Sequence, residues 1–169
     1  DMEVLVRQAP TLPLRCYAGA FCCLAHGVLR WADLLFSWKI HLTIDALVGV
    51  CWKMKKKKCQ APWAAIRAGF THTDWAGHWV AELDEAFLPA DDYVLRAVSR
   101  HGCRFTSRMA CSNDAMAMMR SLLILGGMEA GGALQFTLHS WRHLLLTTAR
   151  QLRLSDSEQV EIGHWATGS

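Results

Sequence analysis

The chain is poor in proline, tyrosine and charge, and it has no apolar run long enough to cross a membrane. Proline occurs 4 times and glycine 12 times in 169 residues, too sparsely for a collagen or a low-complexity linker. Charged residues make up 20% and apolar residues 52%. That balance excludes a disordered chain and supplies the mass for one buried core. A membrane span needs roughly 18 uninterrupted apolar residues. The best candidate, Tyr17 to Leu29, is shorter and carries His26. The first ten residues hold Asp1, Glu3 and Arg7 and lack the apolar segment of a secretory leader. Tyrosine occurs only at positions 17 and 93. The seven cysteines are odd in number and form no CxxC pair, so neither a disulfide framework nor a zinc finger is expected. A reducing, intracellular compartment follows, with the thiols as small core residues.

What is present is unevenly placed. Net charge is only +3, yet Lys53, Lys55, Lys56, Lys57 and Lys58 form one cationic knot. Glu82, Asp84, Glu85, Asp91 and Asp92 form an acidic stretch. A basic knot suits a polyanion such as a nucleic acid, although a solvated turn would carry the same charges.

Periodicity divides the chain into a mainly helical α+β domain. Leu14, Tyr17, Phe21, Leu24, Ala25 and Val28 recur at helical spacing over 14–29. Arg30 to Trp38 continues this after a kink, with Leu34 and Leu35 inward. The period then shortens. Ile40, Leu42 and Ile44, then Leu47, Val48, Val50 and Trp52, predict two strands that turn near Asp45. Ala61 to Ile66 is a third strand, so a small antiparallel sheet is expected near residues 38–66, with the lysine knot at a hairpin tip. Trp75 to Phe87 predicts a helix with Asp74 as N-cap. Residues 89–106 remain ambiguous. Asn113 to Leu125 predicts a helix with Met116, Met119, Leu122 and Leu123 inward, stopped by Gly126-Gly127. Gly131-Gly132 marks a loop. Ser140 to Leu152 predicts a helix with Leu144, Leu145, Thr148 and Leu152 inward, and Ser155 to Glu158 has the form of a capping box opening a last helix.

Polar residues interrupt these apolar helices at three places: Gly27 to Leu34, His139 to His143, and Gly163 to Trp165. Arginine grips phosphate in a fork and keeps its charge at any working pH. Arg142 falls in the first turn of its helix, where backbone N–H groups also favour an anion. In chain order the sequence shows R-x-x-D-L from Arg30, a lysine in a hairpin, H-x-x-R at His139 and Arg142, and G-H at Gly163 and His164.

This ordered set resembles the catalytic domain of the tyrosine recombinases, the phage integrase family. Over residues 14–169, Arg30 looks like the first family arginine and Asp33 takes its acidic place. Lys53 looks like the hairpin lysine, with Lys55 to Lys58 competing for the role. His139 and Arg142 look like the H-x-x-R pair, and His164 like the His/Trp position. The tryptophans and Gly163-His164-Trp165 look most like recombinases of eukaryotic mobile elements, which would place the protein in the nucleus. Residues 1–13 would then be a linker remnant.

The resemblance implies DNA recombination or integration through a 3′-phosphotyrosine, with no metal and no small-molecule cofactor. It implies duplex DNA as partner, a homo-oligomer assembled on DNA and no membrane. The family nucleophile lies some nine residues beyond the G-H box, where this sequence has no residue. The chain is therefore expected to be a catalytic domain that is incomplete at its C-terminal end and inactive alone. The alternative is an inactive DNA-binding remnant. A metal-binding module around His72, Asp74 and His78 has neither H-x-x-x-H nor CxxC spacing among those residues. A plain helical interaction domain leaves the order of the motifs unexplained.

Overall fold

The computed structural model describes residues 1–52, 61–88, 93–151 and, beyond these, 153, 155 and 157; the side chains of 142, 145, 146 and 149 lie outside the description. Within it the fold is α+β and mainly helical.

Helix α2 (Leu12–His26) is the hub. Thr11 caps its start by accepting the Leu14 N–H at 3.4 Å, Pro13 sits in the first turn, and Gly27 ends it. From Tyr17 to His26 every residue is buried, as expected of a helix that is apolar all round. It packs against α1 (Met2–Gln8), α3 (Trp31–Leu35), α4 (Trp75–Glu85), α5 (Ser112–Leu125) and α7 (Leu138–Gln151). Small residues make this possible. A Cβ on Gly19 would lie 2.0 Å from Cδ1 of Trp79, so only glycine lets α4 approach. Trp79 then donates its indole N–H to the Cys16 carbonyl at 2.7 Å. The stretch expected as a linker holds α1, whose Glu3 and Val6 are buried.

The first sheet is antiparallel in the order β1 (Ser37–Leu42), β2 (Ala46–Cys51), β3 (Ala61–Ile66). Val48 pairs with His41 on one side and Ala64 on the other. Gly49 faces Trp63, whose indole N–H donates to Ser37 Oγ at 2.7 Å. The three strands match the expected sheet, and the lysine knot between β2 and β3 lies outside the described residues.

Several expectations are corrected. The helix predicted to run on to Trp38 stops at Leu35, because Trp38 pairs with Val50 in β1. The ambiguous stretch contains β4 (Arg96–Val98), paired with β5 (Phe105–Met109) in a second, two-stranded sheet. Gly131 and Gly132 lie within α6 (Ala130–Gln135) rather than in a loop: Ala133 is buried there and Gly132 backs onto Met128, so packing overrides the poor helix propensity of glycine. Leu144, expected inward, is 41% exposed. Asp74 does cap α4, accepting the Gly77 N–H at 2.8 Å. The short last helix from Ser155 falls largely outside the described residues.

Candidate nucleic-acid interface

Arg30 stands at the N-cap of α3 and is exposed. Asp33 Oδ2 accepts the backbone N–H of Arg30 at 3.3 Å, which closes the first turn and leaves the guanidinium unused by that contact. A carboxylate at the third helical position also suits the positive end of the helix dipole. The Asp33 carbonyl in turn accepts the Ser37 hydroxyl at 2.7 Å, which ties the short helix to the start of β1.

His139 and Arg142 lie on α7, one turn apart. His139 is exposed, and the Arg142 side chain is outside the description. Thr137 and Ser140 anchor this turn: the Thr137 N–H donates to Ser140 Oγ at 3.2 Å. Lys53 and His164 both lie outside the described residues.

The aromatic neighbours of the two arginines both pack on α2. Trp31 follows Arg30 and Trp141 precedes Arg142, and both rings pack on Phe21. The centroids are 6.3 Å apart for Phe21–Trp31 and 5.9 Å for Phe21–Trp141, the latter stacked. Trp31 also stacks on Tyr17 at 6.0 Å. Trp141 donates its indole N–H towards Met119 Sδ at 2.9 Å, which seats α7 on α5. Two positions separated by more than a hundred residues thus share one rigid aromatic support.

The two tyrosines differ in access. Tyr17 is fully buried, donates to the Arg96 carbonyl at 3.0 Å and has its phenol pushed upward by burial. Tyr93 donates to the Ser107 carbonyl at 3.0 Å. The core thiols are inert. Burial, with Glu82 nearby, raises Cys16 to about 12, and burial pushes Cys22 and Cys23 well above the ordinary range.

The buried ionisable pair lies elsewhere. Glu3 on α1 meets His26 at the end of α2, with Oε1 to Nε2 at 2.8 Å. The backbone N–H groups of Phe70 and Thr71 donate to the same carboxylate at 2.7 and 2.8 Å, and the Thr71 hydroxyl adds a further bond. Gly69 turns this cradle at φ +49°, where a Cβ would strike Glu3. Burial alone would raise the Glu3 carboxyl, but the bonds from Thr71, Phe70 and His26 hold it below the ordinary value. Burial lowers His26, and Glu3 offsets part of that. The pair is therefore a carboxylate accepting from a neutral imidazole at pH 7. It lines a largely apolar cavity of about 300 Å³ that Phe70, Leu122 and Trp141 also border. The carboxylate ties α1, the end of α2 and the loop at Phe70 and Thr71 together, which gives the pair a structural role.

The sequence reading assigns no role to His143. Its Nε2 lies 2.7 Å from Nε2 of His139, with the rings edge to face. The signal that finds it is a spacing of four from His139, which puts both side chains on one helix face. Among the described residues no group of three or more His, Cys, Asp or Glu converges on a metal-sized site, and no helix is long and apolar enough to cross a membrane.

A hub helix ringed by helices, with a three-stranded antiparallel sheet alongside, is a recombinase-like fold. The chain is similar to the FLP recombinase in its complex with a Holliday junction, with a TM-score of 0.61 over 99% of this chain and 42% of that one. At 9% identity the likeness is one of fold, and the chain spans less than half of that recombinase. No protein-family model and no curated protein matches the sequence.

Proposed function

We propose that the chain is the phosphate-holding part of a tyrosine recombinase, acting on duplex DNA as an oligomer. The observation that supports this reading is the packing of Trp31 and Trp141, the sequence neighbours of Arg30 and Arg142, on the same Phe21. It occurs within a fold shared with a recombinase over 99% of the chain. Arg30 and Arg142 would hold the non-bridging oxygens of a DNA phosphate and offset the charge that grows in the transition state. His139 would assist proton transfer beside them, and His164 would donate a hydrogen bond to the phosphate. Lys53 would protonate the leaving 5′-oxygen as general acid. A tyrosine oxygen forms the new bond to phosphorus while the bond from phosphorus to the 5′-oxygen breaks. Tyr17 is buried and neither Tyr17 nor Tyr93 stands at the place the resemblance gives the nucleophile, so the tyrosine would come from a further segment or from another subunit. Integration of a mobile element is the setting that fits the resemblance.

The test is a nicked suicide-substrate DNA assayed on a denaturing gel. The chain is incubated alone and joined to the sequence downstream in its gene, with Arg142→Ala as control. A covalent adduct in the extended protein, lost in Arg142→Ala, is the expected result. Salt-sensitive DNA binding without an adduct in either form would reduce the reading to an inactive DNA-binding remnant. Absence of both adduct and binding would overturn it.

A further inference from the structure

We propose that His139 and His143 form a two-point binding site for a borderline divalent transition metal such as Zn²⁺ or Ni²⁺. The two Nε2 atoms face each other at 2.7 Å on adjacent turns of α7, and both residues are exposed. At that separation one ring donates its proton to the lone pair of the other. The two ring nitrogens thus meet on one exposed helix face, within reach of a single metal ion. Zinc–nitrogen bonds of about 2.0–2.1 Å at a tetrahedral angle set the two nitrogens roughly 3.3 Å apart. Small rotations of two solvent-facing rings open the pair by that amount, and the metal replaces the hydrogen bond as the donor ring's proton passes through water to its own Nδ1. Residues i and i+4 on a helix are neighbours on its surface, so the backbone holds both ligands ready before the metal arrives.

The ligand chemistry sets the selectivity. Imidazole suits zinc, nickel and copper, whereas magnesium and calcium require oxygen ligands. The sequence of α7, LHSWRHLLLTTARQ, contains no Asp or Glu. Water would complete the coordination, giving an open, exchangeable site rather than a structural one. His139 is also the histidine placed beside the DNA phosphate under Proposed function. On that reading a bound metal withdraws its ring from the phosphate and weakens the grip on DNA. This consequence rests on the recombinase reading, while the metal site itself does not.

The experiment titrates the purified chain with Co²⁺, whose absorption separates imidazole from thiolate ligation, and then displaces it with Zn²⁺. One equivalent bound without a thiolate charge-transfer band is expected, with no displacement by Mg²⁺. A lost direct ligand should cost at least the about 10- to 100-fold in affinity that second-shell partners cost, so His143→Ala and His139→Ala should both lose the site. His101→Ala, at an exposed histidine elsewhere, should keep it. Unchanged melting of His143→Ala would show that the loss is local. No binding by the parent chain, a thiolate band, or binding that survives His143→Ala would overturn the proposal. DNA affinity measured with and without Zn²⁺ then reports on the second step. Metal bound with DNA affinity unchanged keeps the metal site and removes His139 from the phosphate site.

Discussion

Helices α2 and α7 are nearly equal in length, at 15 and 14 residues, and touch through Phe21 and Trp141. They differ in almost everything else. α2 is buried throughout its second half, and its polar end, His26, is paired with Glu3. α7 exposes His139, His143 and Leu144 and rests on the body of the protein through Trp141. α2 spends its side chains on packing, where interiors are as dense as organic crystals. α7 turns His139, His143 and Leu144 to solvent. The buried helix and the partly exposed one thus meet through the Phe21–Trp141 stack.

That division is broken most directly at the contact itself. Phe21 is fully buried against Tyr17, Trp31 and Trp141. Phe21→Ala should destabilise the protein by about 3–5 kcal/mol, the usual cost of deleting a large core ring. The loss is read from the denaturant midpoint. Should the midpoint stay in place, α2 would not be the support described above. Phe21→Leu keeps much of the volume and should lose less. If it folds yet binds DNA poorly, the aromatic bridge positions the arginines as well as stabilising them.

Acid sharpens the comparison from the α2 side. His26 is lowered from its usual 6.5 and Glu3 from its usual 4.5. A group depressed in the folded state contributes stability above its unfolded value and loses it as pH falls. Both groups act in the same direction: the His26 contribution fades below 6.5, and the Glu3 contribution follows below 4.5. Denaturant midpoints at neutral pH and near 5.5 should show a fall, and His26→Gln should remove the pH dependence in that window. A midpoint that rises on acidification would mean a charged His26 and a true ion pair.

The same contrast explains how much could be read from the sequence. Where one face is buried, periodicity marks it. The strand Ala61–Ile66 and the cap at Asp74 stand where alternation and capping chemistry put them. β4 has three residues, too few for alternation to show, and its pairing with β5 depends on a turn through Gly102 at φ +73°. Gly131 and Gly132 look like breakers until Met128 and Ala133 supply the packing that keeps them helical. Glu3 reads as a surface acid in an N-terminal tail, because the loop that cradles it is 67 residues away in sequence. For the candidate site, residue type and order were legible at Arg30, His139 and Arg142. The support was not, since it is made by neighbours. Trp31 and Trp141 signal nothing until both are found on Phe21.

The smallest expected change in stability belongs to the residue given the most chemistry. Arg30 is exposed, and its part in capping α3 is played by its backbone N–H. Alanine keeps that N–H, so Arg30→Ala should move stability by no more than about 0.5 kcal/mol, as surface changes do. Its effect on DNA should be larger and of a particular form. Losing one phosphate contact lowers the slope of log affinity against log salt by about 0.9, whatever the DNA sequence. The measurement is fluorescence anisotropy across a salt series, with parent and variant on the same duplex. A parent slope kept by the variant would take Arg30 off the phosphate. A loss of slope together with a large fall in melting temperature would make Arg30 a residue of the folded framework, with its effect on DNA secondary.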